Sequence, residues 1–155
     1  MNSFTTELTV DRTPEEVFAA ITDVRAWFSK TITGTATAVG DAFSFVDKGI
    51  PSTRIRVTEL VPGRRVAWHV EDAYVAFVDQ HDEWTDTRMT FDLTPGPNGS
   101  TLRFTHHGLT PDQACYRECS RGWTSCVNTS LRSLLTTGVG EPIPESAAPE
   151  RQPAE

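Results

Sequence analysis

Between residues 31 and 107 the chain repeats one pattern five times: a short run alternating apolar and polar side chains, closed by turn residues. The runs are AFSFVDK, TRIRVTEL, RVAWHVE, TRMTFDLT and STLRFTHH, and GIPS, VPGR and PGPNG stand between them. Alternation places Phe43, Phe45, Ile55, Val57, Val66, Trp68, Val70, Met89, Phe91, Leu93, Leu102 and Phe104 on one face, with Arg54, Arg56, Arg88, Asp92, Arg103 and Thr105 on the other. One dry face and one wet face define an antiparallel sheet covered on a single side. Pro62-Gly63 supplies a fixed φ followed by a residue tolerant of positive φ, which suits a tight turn.

The segments on either side predict what covers the dry face. SFTTELTV at residues 3–10 is a further half-buried strand. In RTPEEVFAAITDVRAWFSK, Thr13 caps, Pro14 takes the first helical position and Glu16 completes a capping box. Val17, Phe18, Ile21, Val24 and Phe28 follow at helical spacing, as one short helix or two broken near Thr22-Asp23. At the other end Thr110, Pro111 and Gln113 repeat the capping signature, and a helical pattern runs to Thr137 with Gly138 placed to end it. Such a helix is about 40 Å long, enough to cross a sheet of six or seven strands about 30 Å wide. A flat sheet would leave Phe43 or Phe104 wet, so the sheet has to curl around the helix. After Gly138 the segment 139–155, rich in Pro and Glu, is expected to be a disordered tail, leaving 1–138 as one domain.

Charge and composition narrow the partners. A net charge of −7 over 155 residues argues against a nucleic acid or an anionic membrane surface. No apolar run approaches the ~20 residues of a membrane span. The start, MNSFTTELTV, lacks a basic n-region and an apolar h-region, so a cytoplasmic location is expected.

The densest chemistry lies in FTHHGLTPDQACYRECSRGW, residues 104–123. Parity with Leu102 and Phe104 turns His106 inward and His107 outward, and a buried structural role suits His106 better than a catalytic one. Tyr116, Trp123, Val127, Leu131 and Leu134 share the stripe facing the sheet, with Cys115, Cys119, Cys126 and Gly122 in a line about a quarter turn away. Cys115 and Cys119 supply two ligands where zinc wants four, so no metal site is expected. The cysteines read as small, soft apolar fillers. A nucleophilic Cys115 with His106 as base lacks an acidic residue to orient the histidine. The acidic stretch from Asp72 to Asp86 lacks a calcium-loop spacing and reads as a solvated loop, with Tyr74, Val75, Phe77 and Val78 extending strands or forming a lid.

Taken in order, VDRTPEEVFAAITD, WFSK, VGDAFSF, RVTELVPGRRVAWHV, LRFTHHGL and RGWTSCVNTSLRSLL resemble the START-like (SRPBCC) superfamily, in the branch of homologues of the activator of the heat-shock-protein-90 ATPase. The resemblance covers the chain to about Gly138. It implies an α+β helix-grip fold, with a curved antiparallel sheet around a long C-terminal helix and two short helices after the first strand. It also implies a cavity between sheet and helix, which relatives use for lipids, polyketides, hormones and other largely apolar molecules. The expected lining residues are Phe28 before the sheet; Phe45, Ile55, Trp68, Phe77, Trp84, Met89, Phe91 and His106 on strands and loops; and Tyr116, Cys119 and Trp123 on the helix. Polar orientation would fall to His106, Tyr116, Asp47 and the indole nitrogens of Trp68 and Trp123. The expected function is therefore binding of an apolar or aromatic small molecule, lipid- or polyketide-like, by a monomer or homodimer without cofactor or metal. A cyclase or dehydratase acting on a polyketide-like substrate is the alternative, although no catalytic pair is evident, and a chaperone-associated stress role comes last.

Overall fold

The first helix begins where its capping box is built. Thr13 Oγ1 accepts from Glu16 N at 3.1 Å and Glu16 Oε1 accepts from Thr13 N at 2.9 Å. These bonds satisfy two donors that the first turn otherwise leaves open. Thr13→Ala is expected to cost about 1 kcal/mol in chemical denaturation; a loss below about 0.3 kcal/mol would show the cap to be incidental.

The computed structural model describes residues 3–29, 32–45, 52–74, 84–114 and 116–141, with backbone alone for Phe45 and Ser52. Strand β1 (Phe4–Val10) is followed by α1 (Pro14–Thr22) and α2 (Val24–Trp27), broken at Asp23. Then come β2 (Thr33–Gly34), β3 (Ala42–Phe45), β4 (Ser52–Val61), β5 (Arg65–Tyr74), β6 (Arg88–Gly96) and β7 (Gly99–His107). All pair antiparallel in the order β1-β7-β6-β5-β4-β3-β2, forming one curved, seven-stranded sheet. The β4–β5 hairpin turns at Pro62-Gly63, closed by Arg64 N to Val61 O at 2.8 Å, with Gly63 at φ +74° as the turn requires. Register shifts beside Ile55 and after Val57 mark irregularities of the kind that bend a strand.

The dry face is the one the alternation predicts. Val66 pairs with Phe91, Phe91 with Phe104, Trp68 with Met89 and Met89 with His106, and all six side chains are buried. On the outer face Arg103 meets Glu7, Arg65 lies between Glu59 and Asp92, and Glu71 takes both Arg54 and Arg56. These exposed pairs fix strand register more than stability.

The covering helix departs from expectation in two ways. It begins later, at Tyr116 rather than Pro111. Gln113 Oε1 accepts from Thr110 N, but the Thr110 hydroxyl donates to Asp112 rather than capping a helical N–H, so residues 110–114 form turns. The helix then runs as α3 (Tyr116–Ser125), a π-helical stretch (Cys126–Leu131) and α4 (Arg132–Thr137). The wider π turns shift the buried stripe, so Leu135 is buried while Leu134 is only partly so. Cys119 and Cys126 lie inside with Trp123, and Gly122 is exposed, so the separate line expected for them does not form. Within the π stretch the buried Ser130 donates to Trp27 O at 2.6 Å and accepts from Glu141 N at 2.8 Å. Ser130 therefore binds α2 and the chain after Gly138 to the helix. Residues 139–141 are docked, and the rest of the proposed tail, 142–155, lies outside the described residues.

Candidate functional site

Between the sheet and the long helix, aromatic side chains from separate elements meet. Trp84 stacks on Trp123 at a centroid distance of 5.8 Å, and Trp123 lies 5.3 Å from Phe28. Phe28 in turn stacks on Trp68 at 6.4 Å. These four rings form one row from the β5–β6 connection, through α3 and the end of α2, to the middle of the sheet. Phe91, Phe104 and Phe43 pack against it at 4.5–5.0 Å from Trp68 or Trp123.

His106 sits at one end of the row, fully buried. Trp123 Nε1–H donates to its Nδ1 at 3.0 Å. An indole nitrogen only donates, so Nδ1 carries the lone pair and the ring proton sits on Nε2. Nε2–H then donates to Thr87 Oγ1 at 2.8 Å, and Thr87 donates onward to Trp84 O at 2.6 Å. The relay is complete and neutral. Burial, with a smaller contribution from His107, holds the His106 pKa down to about 3. With its lone pair occupied and its proton committed, His106 is placed to orient two tryptophans rather than to exchange protons with a substrate.

The Thr87 end depends on a local turn. Thr87 N and Oγ1 both donate to Trp84 O, with Asp86 at φ +68° between them. Asp is among the few residues that enter this left-handed region readily. That turn lays Trp84 edge-on to His106 at 4.8 Å.

Nine of the expected lining residues come together here: Phe28, Ile55, Trp68, Trp84, Met89, Phe91, Cys119 and Trp123 are buried in one core, and His106 is buried against Trp84 and Trp123. Tyr116 is partly buried and packs edge-on to Phe4 at 6.4 Å. The Phe45 side chain, Phe77, Asp47 and Cys115 lie outside the described residues, as do residues 75–83 of the suggested strand extension or lid, while Tyr74 ends β5. His107 lies on the outer face, bonded to Thr90 Oγ1 at 2.9 Å. Burial pushes the Cys126 thiol up to about 12, which removes it as a nucleophile. Among the described residues no cluster of three His, Cys, Asp or Glu side chains could hold an ion.

Sequence reasoning missed Trp27, Phe43, Phe104 and Thr87 as members of the site. Trp27 is fully buried and stacks on Phe28 at 5.4 Å, with its indole N–H donating to Ile21 O at 3.1 Å. The break at Asp23 rephases the helix and turns Trp27 inward, a signal present in the Thr22-Asp23 interruption. The Trp123 indole, expected to be free for a ligand, is instead committed to His106. The Trp68 and Trp84 indole nitrogens are buried with no hydrogen-bond partner among the described residues.

The family model described as Activator of Hsp90 ATPase homolog 1-like protein matches residues 11–136. The chain belongs to this family. Among curated proteins no sequence match is found. Several solved structures share the fold. The Aha1 dimer of Colwellia psychrerythraea is 24% identical, covering 90% of this chain and 100% of that one, at a TM-score of 0.72. DynU16, a protein in the dynemicin biosynthetic locus, is 18% identical, covering 90% of this chain and 49% of that one, at 0.68. CalU16 of Micromonospora echinospora is 17% identical, covering 87% and 76%, at 0.63. These likenesses place the chain in the helix-grip, START-like fold. Among the described residues no helix is long and apolar enough to cross a membrane.

Proposed function

We propose that this family member binds a planar, largely apolar small molecule, aromatic or polyketide-like, between the curved sheet and the long helix. The observation that carries the reading is the row Trp84–Trp123–Phe28–Trp68. Its rings belong to separate elements, so a guest can enter by parting side chains without breaking a strand. Offset stacking on such faces contributes about 0.5–1.5 kcal/mol per ring pair beyond area burial, which itself adds about 25 cal/mol per Å². Conversion of that guest by a cyclase or dehydratase step would need a proton-exchanging group, and His106 in its relay is engaged at both nitrogens.

Titration with fused-ring aromatics tests this. At about 100 times Kd a bound guest adds about 2.7 kcal/mol, which raises Tm by roughly 5–10 °C in a domain of this size, and tryptophan emission is expected to be quenched in parallel. An unchanged Tm and unchanged emission across lipids, fused-ring aromatics and polyketide-like compounds would overturn the reading.

A further inference from the structure

Among the described residues four buried side-chain atoms, Arg65 Nε, Trp68 Nε1, Trp84 Nε1 and Asn128 Oδ1, have no hydrogen-bond partner, and the two indole nitrogens lie in the aromatic row. Trp68 is fully buried and Trp84 is 4% exposed, yet neither indole N–H meets an acceptor. A buried donor without a partner forfeits its hydration, and the large majority of such groups in folded proteins are satisfied. The other two tryptophans show how this chain ordinarily meets that requirement. Trp27 donates to Ile21 O and Trp123 to His106 Nδ1. The two unpartnered indoles are the two ends of the stacked row.

We infer that Trp68 and Trp84 are the polar contacts of the site, and that its guest is a fused-ring aromatic bearing oxygen acceptors, such as carbonyl or quinone oxygens. This rests on the proposed binding site and specifies the chemistry it selects. An indole N–H can only donate, so the site discriminates against a ligand whose polar groups are donor-only N–H and rewards one that offers oxygen lone pairs. A pure hydrocarbon of the same shape stacks equally well but leaves both donors unsatisfied. Selectivity therefore comes from the donors, and affinity mainly from the rings.

Anthraquinone and anthracene form the test pair, because they share a three-ring plane and differ in two carbonyl groups. Anthracene is the more apolar, so area burial alone favours it. Wild-type protein is expected to bind anthraquinone more tightly nonetheless. Trp68→Phe and Trp84→Phe keep a six-membered ring and lose the N–H with part of the stacking surface; each is expected to weaken anthraquinone binding about five- to tenfold more than anthracene binding. The wild-type preference is read without any substitution, so it stands even if a variant folds poorly. If both compounds bind but wild type favours anthracene, and neither variant changes the ratio, the acceptor inference fails while the binding site survives. If neither compound binds, the fused-ring inference fails, and the binding site falls with it only if lipids and polyketide-like compounds also leave Tm and emission unchanged.

Discussion

Trp123→Ala is expected to cost about 3–5 kcal/mol, the range for truncating a large buried aromatic. Trp123 is 2% exposed, and its ring lies 4.5 Å from Phe104, 5.3 Å from Phe28 and 5.8 Å from Trp84. Truncation opens a cavity at the centre of the row and leaves His106 Nδ1 without its donor. Against a total stability of typically 5–15 kcal/mol, that leaves little margin. Trp123→Phe reduces the cavity but still removes the N–H. It keeps a six-membered ring and loses the pyrrole atoms, so its cost combines a smaller void with the unpaired Nδ1, the latter about 1–3 kcal/mol. Urea unfolding of both variants at pH 7.5 measures this. Losses below 1 kcal/mol for both would mean that the row does not hold helix to sheet.

The second large effect is acid sensitivity. The His106 pKa is about 3 in the folded chain, against an ordinary value of 6.5. Between those values the unfolded chain binds a proton that the folded chain refuses. Stability therefore falls as pH falls through this window, with a slope approaching about 1.4 kcal/mol per pH unit. From pH 6.5 to 4.5 the expected loss is about 2 kcal/mol. His107 is also held below its usual value, mainly by partial burial, and acts in the same direction. Asp41 and Glu71 are carboxylates held low chiefly by bonds from Thr35 and Arg56 respectively, and their loss sets in at lower pH. His106→Gln should therefore flatten the stability profile between pH 4.5 and 6.5 relative to wild type, and His107→Gln should flatten it less. Imidazole ¹⁵N spectra should show His106 neutral with its proton on Nε2 from pH 8 down to 5. A ring that titrates near 6.5 would contradict the relay.

Much of this architecture could be read from local pattern because its causes are local. A period of two fixes which face of each strand is dry, so the inward turn of His106 followed from Leu102 and Phe104. Thr13 and Glu16 form their box within one turn of chain, and Gly63 serves a turn that ends one residue later. The helix start was misread because Thr110 had a competing acceptor in Asp112, one residue nearer than Gln113. The π stretch left no trace in an apolar spacing read at 100° per residue, although it decides which of Leu134 and Leu135 is buried. The partners of His106 were hidden for a different reason. Thr87 and Trp84 reach it through a turn with Asp86 in a left-handed conformation, and Trp123 arrives from an element 17 residues further along the chain. Such contacts depend on how whole elements dock.

The four indole N–H resonances give the most direct test of the proposed site. In a ¹H–¹⁵N spectrum of the wild-type protein, anthraquinone should move the Trp68 and Trp84 indole protons downfield as they gain acceptors. Trp27, already bonded to Ile21 O, should stay nearly in place. Shifts confined to Trp27 or to exposed residues, with Trp68 and Trp84 unmoved at saturation, would contradict a guest seated between sheet and helix.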